Sequence, residues 1–285
     1  MHCCRNDGCN EDERLDHMKF DLHTHHDRCG HAVHSISSYI EAAIEAGLGI
    51  IGISDHSPYF FSEQDHPKPD TAMAVSEFPH YVAEVLRLKH AFADRIEVLL
   101  GVESDFYAEH LELYRSEYAK YPFDYIIGSV HYSGGMHIFD RARWRELTNA
   151  DLIREKEEYY RLIRASARSG LFQIVGHIDA MKGYYPDFGS IPTSAAEETL
   201  KEIAANGVAI EVNTSGKTKD AGGWYPSDDL LERAKYYGID VTFGSDAHSP
   251  GRVGDDFAQV CQRLKEIGFK EWVFFRGKKR QSVQL

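Results

Sequence analysis

Several things that mark other protein classes are scarce or missing here. No apolar run approaches the roughly 20 residues that a membrane-spanning helix requires, which argues against a helical membrane protein. Basic residues are outnumbered, with 32 Lys and Arg against 45 Asp and Glu, and the net charge of −13 argues against a broad nucleic-acid footprint. The cysteines, Cys3, Cys4, Cys9, Cys29 and Cys261, are odd in number and lack paired Cys-x-x-Cys spacing. A secreted disulfide framework is thereby excluded, and with no secretory signal pattern evident a reducing cytoplasm is the expected location. A glycine-rich turn after the first strand-like run is also missing, which removes the usual dinucleotide site of an open parallel sheet.

What is present is a long alternation of strand-like and helix-like segments. A chain of 285 residues is long for one core, but α/β barrels reach this size as single domains. Residues 1–17 are polar, hold three of the cysteines and read as a disordered, dispensable leader; residues 18–285 read as one catalytic unit. Strand-like runs fall at Lys19–His23, Gly49–Ser54, Ile96–Val102, Tyr125–Val130, Phe172–Gly176, Val208–Val212 and Asp240–Gly244. Helical spacing falls at 35–46, Ser76–Ala93, Asp151–Ser169, Ser194–Asn206, Ser227–Tyr237 and Phe257–Ile267. The loop from Ser57 to about Val75, rich in Pro and aromatics, is a candidate lid, and Trp272–Phe275 has no evident place.

The polar residues decide between an open sheet and a closed one. Six of the seven runs end in His, Asp or Glu, and in a barrel all carboxyl ends meet on one rim. A slightly irregular barrel of seven βα units is therefore expected. On its rim stand His23, His25, His31, His56, Glu103, His131, His177, Asp246 and His248. His23 and His25, two apart at a strand end, point the same way and can grip one divalent ion. Nine candidate ligands exceed the needs of one ion, so two or three are implied. Imidazole with a few carboxylates suits zinc, iron or manganese better than calcium or magnesium. The other nine histidines, His26 and His137 among them, read as ordinary loop, helix or tail residues.

The motifs Asp21-Leu-His-Thr-His25, Ser54-Asp-His56, Gly101-Val-Glu103, Ser129-Val-His131, Gly176-His177 and Ser245-Asp-Ala-His248 resemble those of the polymerase and histidinol phosphatase (PHP) superfamily. The resemblance runs from Met18 to about Phe257. Within the superfamily the chain is most similar to monofunctional histidinol-phosphatases, on Cys29-Gly-His31, Glu103-Ser-Asp105, His177-Ile-Asp179, Asn213-Thr-Ser-Gly216 and Tyr225-Pro-Ser227. It implies a distorted (β/α)7 barrel, related to the TIM barrel, with a trinuclear metal centre. One ion would take His23, His25, Glu103 and Asp246; a second would share Glu103 and add His131 and His177; a third would take His31, His56 and His248.

Such a cluster suits phosphate-ester hydrolysis, since the metals clamp phosphoryl oxygens and acidify a water. The implied reaction is hydrolysis of L-histidinol phosphate in histidine biosynthesis, with Glu103, Asp246 and His248 closest to catalysis. Asp246 could also protonate the leaving oxygen, and Asp21 and Asp55 could orient imidazoles. Lys182, Lys217 and Arg252 are candidate phosphate contacts, with Asp105 or Glu63 for the ammonium and Tyr59, Phe60 and Phe61 as aromatic walls. The expected partner is this small phosphomonoester, not nucleic acid or membrane. Two alternatives stand beside it: a nuclease or nucleotide phosphatase of the same superfamily, and a non-catalytic metal-binding module.

Overall fold

A computed structural model describes residues 18–285; the leader, with Cys3, Cys4, Cys9, His2 and His17, lies outside the described residues. Short parallel strands dominate: β1 (Phe20–Asp21), β2 (Ile50–Ile53), β3 (Glu97–Leu100), β4 (Glu103–Asp105) and β5 (Ile127–Ser129). A small hairpin follows, β6 (Tyr132–Ser133) with β7 (Met136–His137), and then β8 (Ile174–Val175), β9 (Ala209–Asn213) and β10 (Val241–Gly244). β2, β9 and β10 are buried on both faces, as their near-continuous apolar sequences require.

The strands form two parallel sheets, β1-β2-β3 and β10-β9-β8-β5-β4, that join at both margins. At one margin β3 runs through Gly101-Val102 into β4, and the N–H groups of Gly101 and Glu103 bond to Ile53 O at 2.8 Å and Ser54 O at 2.9 Å. At the other, Leu22 N donates to Phe243 O at 3.1 Å and His25 N to Ala247 O at 2.9 Å. The ring is thus closed, with β3 and β4 acting as one kinked strand among seven, and the expected barrel is what the chain builds.

Among the described residues seven α-helices surround it: α1 (Ile36–Glu45), α2 (Phe78–Ala91), α3 (Leu111–Tyr118), α4 (Asn149–Arg168), α5 (Ala195–Asn206), α6 (Asp228–Tyr236) and α7 (Phe257–Ile267). α1 shows the general rule, burying Ile36, Tyr39, Ile40 and Ala43 along one stripe. Helix ends differ from the sequence reading by at most two residues, and one helix is new. α4 begins earlier because Thr148 caps it, with Thr148 and Asp151 exchanging hydrogen bonds in a capping box. α3 was not expected at all; it is short and buries Tyr114 and Tyr118 in the core, with Leu111 partly buried against it.

The segment containing Trp272–Phe275 is also placed. It is β11 (Glu271–Arg276), which pairs antiparallel with β12 (Lys279–Gln284). The hairpin is tied to residues at or just before the strand starts: Arg276 to Glu97 at 2.6 Å, Gly277 N to Asp124 Oδ1 at 3.0 Å and Arg280 to Asp240 at 2.6 Å. It therefore caps the amino end of the barrel, where Trp272 packs on Phe20, Phe243 and Phe257. The carboxyl end is left for chemistry.

Candidate metal centre

Each of the nine expected ligands sits at that carboxyl end. His23 and His25 follow β1, His31 lies in the next loop, His56 follows β2, Glu103 opens β4, and His131, His177, Asp246 and His248 follow β5, β8 and β10. Glu103 is the hub. Its Oε2 lies 2.8 Å from His56 Nδ1, 3.4 Å from His23 Nε2 and 3.6 Å from His25 Nε2. Its Oε1 lies 3.1 Å from His177 Nε2 and 3.5 Å from His131 Nε2, and accepts the Ser129 hydroxyl at 2.6 Å. Asp246 Oδ1 approaches His25 Nε2 at 3.0 Å and His23 Nε2 at 3.8 Å.

The outward nitrogens are fixed by carboxylates. His23 Nδ1 donates to Glu211 Oε1 at 2.6 Å, His25 Nδ1 to Asp55 Oδ1 at 3.1 Å and His131 Nδ1 to Asp105 Oδ1 at 2.9 Å. Each imidazole is thereby aimed with Nε2 at the centre, the arrangement metal-binding histidines use. His23 Nε2, His25 Nε2 and Glu103 Oε2 are buried and, close as their polar neighbours are, none makes a hydrogen bond of good geometry among the described residues. Unsatisfied buried polar atoms are costly, and three that converge fit a cation.

The electrostatics say the same. Burial raises the Glu103 carboxyl, but the His23, His56 and His131 imidazoles outweigh it and hold the group well below the carboxylate range. Burial likewise opposes ionisation of Asp246, and His23 and His25 reverse it. Burial lowers His25 and His131, yet Asp246 and Asp55 lift His25 to about 9, and Asp105 and Glu103 lift His131 to about 9. Burial, then neighbouring imidazoles, lower His31 to about 4 and His248 to about 3. These two rings face each other Nε2 to Nε2 at 2.9 Å, while their Nδ1 atoms face the carbonyls of Cys29 and Asp246. Two neutral rings with both Nδ1–H groups engaged present lone pair to lone pair, which a shared cation would resolve.

The side-chain groupings cut across the division implied by resemblance. His25, His56 and His248 lie together, as do His23, His25 and Glu103, and His56, Glu103 and His131. His25, His56 and Glu103 are thus each common to two of these groups. Backbone geometry is unusual at two of the nine: His177 has φ 23° and Asp246 φ 52°, the left-handed region that non-glycine residues seldom adopt.

Above the centre opens a cleft of about 780 Å³, lined by His31, His56, Glu103, His131, Asp246 and His248 and walled by Asp70, Thr71, His137, Phe139, Lys219 and Arg252. The expected substrate contacts fare unevenly. Arg252 lines the cleft but is bound to Asp255 at 2.6 Å. Lys217 is held by Asp255 and Asp256, and Lys182 turns away to Asp179 and the Trp224 carbonyl, so neither lines the cleft. Asp105 is spent on His131. Phe60 packs on Phe78, Tyr114 and Tyr118, Phe61 stacks on His110, and Tyr59 and Glu63 do not line the cleft; the aromatic wall is Phe139 instead. Asp55 orients His25 as expected, whereas Asp21 binds the N–H groups of His23, Ser245 and Gly254 and touches no imidazole ring. The loop of residues 57–75 reaches the cleft through Asp70 and Thr71 and is latched by Lys68 to the Tyr132 hydroxyl at 2.6 Å.

Four participants escaped the sequence reading. Glu211 is buried inside β9, and the only signal was an acid within the apolar run Val208–Val212. His26 is buried, with Nε2 3.3 Å from Asp55 Oδ2, so Asp55 faces two imidazoles; its signal was adjacency to His25. His137 stacks parallel on His131 with ring centres 5.9 Å apart. Lys219 lines the cleft over the Phe139 ring and, among the described residues, has no ion-pair partner; no pattern marked either residue.

A family model described as PHP domain matches residues 21–215. A probable histidinol-phosphatase of Deinococcus radiodurans is 35% identical, over 92% of this chain and 98% of its own length. A histidinol-phosphatase of Bacillus subtilis is 32% identical, over 86% and 99%. Among solved structures, the histidinol phosphate phosphatase of Lactococcus lactis, complexed with zinc, L-histidinol and phosphate, superposes with TM-score 0.78 at 24% identity, covering 92% of this chain and 98% of its own.

Proposed function

The chain belongs to the PHP domain family, and from that premise we propose that it is a metal-dependent phosphomonoesterase that hydrolyses L-histidinol phosphate to L-histidinol and phosphate. The observation that carries the reading is the convergence of His23 Nε2, His25 Nε2 and Glu103 Oε2, buried and without a hydrogen bond of good geometry among the described residues, beneath an open cleft. The donor set fits the zinc named for the Lactococcus lactis structure, and iron or manganese equally. His23, His25, His31, His56, Glu103, His131, His177, Asp246 and His248 would hold the ions. When bound, these supply Lewis-acid charge for phosphoryl oxygens and lower the pKa of water towards neutrality.

The protein's own contribution is positioning. Asp55, Asp105 and Glu211 fix imidazole orientation, and Lys219 offers the cleft an uncommitted ammonium for phosphate charge. Asp246, held ionised by His23 and His25, serves as a ligand and not as the proton donor to the leaving oxygen. His137 and Phe139 give flat surfaces for an imidazole, and Asp70 a carboxylate at the mouth for an ammonium. Residues 18–285 suffice as the catalytic unit in this reading, and the leader is dispensable. Among the described residues no helix is long and apolar enough to cross a membrane, and Cys29 and Cys261 are free thiols, which suits a reducing cytoplasm.

The test is phosphate release from histidinol phosphate, a nucleoside monophosphate and single-stranded DNA, each with and without chelator. Histidinol phosphate should be the best substrate by at least about 100-fold in kcat/KM, since unpaired site groups penalise the wrong ligand strongly. A preference for nucleotides or DNA would move the chain to the nuclease branch; inactivity after remetallation would favour a binding module. A second expectation concerns protons. At pH 7 His25 and His131, both raised to about 9, hold protons in the metal-free protein, and ligation must displace them. Metal affinity should therefore climb with pH through about 9; His23, which burial lowers but Glu211 and Glu103 hold well above the usual imidazole range, adds to the rise, while His31 and His248, already neutral, release nothing. Calorimetry in buffers of different ionisation enthalpy measures this, and a buffer-independent heat would contradict it.

A further inference from the structure

Glu211 is almost wholly buried and does not line the cleft, so it meets neither substrate nor solvent. All of its hydrogen-bond partners are N–H donors. Oε1 accepts from His23 Nδ1 at 2.6 Å; Oε2 accepts from the His177 main-chain N–H at 3.2 Å and from Asn213 Nδ2 at 3.0 Å. Asn213 Nδ2 also reaches Asp246 Oδ2 at 3.3 Å, and Ser215 Oγ bridges Asn213 Oδ1 and Asp246 Oδ2 at 2.7 and 3.0 Å. One carboxylate thus ties together three residues of the candidate centre that come from β1, β8 and β10.

We propose that Glu211 is a positioning residue for the metal centre, setting the His23 tautomer and coupling His23 to His177 and Asp246, a role that only an all-acceptor side chain can fill. The inference rests on the metal-site reading and not on the identity of the substrate. A glutamine of the same shape must place its NH2 group against a donor. With its oxygen towards His23, the NH2 meets the His177 N–H and the Asn213 amide. Turned round, it donates to His23 Nδ1, drives the proton to Nε2 and removes the lone pair a metal needs. A carboxylate filling space alone would be replaced by glutamine without effect.

The neighbouring Gly244 reports on the same contact. A Cβ there would lie 2.0 Å from Glu211 Oε1 and 2.6 Å from His23 Cβ, so Gly244→Ala should part the pair while leaving both side chains chemically intact.

The experiment is zinc competition against a chromophoric chelator, with metal stoichiometry and the absorption spectrum of the cobalt-loaded protein, on wild type, Glu211→Gln and Gly244→Ala. Both variants should lose affinity for part of the bound metal by about 10- to 100-fold, change the cobalt spectrum, and lower kcat with KM nearly unchanged. Native affinity and spectrum in Glu211→Gln would overturn the proposal even if histidinol phosphate proved the wrong substrate. Should the variants not fold, ¹⁵N NMR of histidine-labelled, zinc-loaded wild type decides: the His23 proton is expected on Nδ1, and a proton on Nε2 overturns the assignment.

Discussion

Glu103→Gln is expected to abolish nearly all turnover while leaving the barrel folded. Glu103 lies within 3.6 Å of His23, His25, His56, His131 and His177, so its charge is shared by more of the candidate centre than any other side chain's. Glutamine keeps the volume, and so the strand β4 and its Ser129 contact need not move. What is lost is the negative charge that balances clustered cations, with several kcal/mol of transition-state stabilisation attached to each ion. At about 1.4 kcal/mol per tenfold, a loss of about 4 kcal/mol lowers kcat by about 1,000-fold. Elemental analysis should show fewer ions per chain, with circular dichroism unchanged. A variant that binds its full complement of metal and turns over normally would remove Glu103 from the centre of the proposal.

Trp272→Ala should have the largest effect on stability and very little on chemistry. Trp272 lies at the opposite end of the barrel from the cleft, with Phe257 at 4.6 Å and Phe20 at 5.0 Å between ring centres. Among the described residues its indole N–H has no hydrogen-bond partner, so truncation forfeits packing alone. Burying a cavity of that size costs about 3–5 kcal/mol. In a chain of this length each kcal/mol moves Tm by about 2–4 °C, which puts the drop on the order of 10 °C. Differential scanning calorimetry reads the shift; kcat per folded molecule at 25 °C should match wild type. Loss of metal at a temperature where the variant is still folded would show that the hairpin supports the site as well as the barrel.

The division between the two ends explains what could be read from the sequence. Apolar runs too short for helices and closed by His, Asp or Glu locate the strands and place their last residues on one rim, because parallel strands in a barrel all finish on the same side. That logic reached the seven-strand ring and the end of it at which all nine candidate ligands gather. It fails where a loop curls after the strand. Lys182 and Lys219 follow β8 and β9 at nearly the same distance in sequence, yet the 3-10 turn Ala180–Gly183 folds Lys182 back onto Asp179 while Lys219 ends over the cleft. It fails also inside a strand. Glu211 sits where the pattern demands a core residue, and only the opposing nitrogens of His23, His177 and Asn213 show why an acid is there. α3 stayed hidden because Leu111, Tyr114 and Tyr118, in a helix of eight residues, are too few to mark a period.

The left-handed backbone at His177 and Asp246 has an evolutionary consequence. Conformations of that kind cost about 1–3 kcal/mol each and persist only when surrounding structure enforces them. Asparagine or glycine would relax Asp246, so drift unopposed by selection would erode this position early. A descendant that had lost its metabolic task could therefore be recognised by an ordinary turn residue at 246, in a barrel that had become easier to fold.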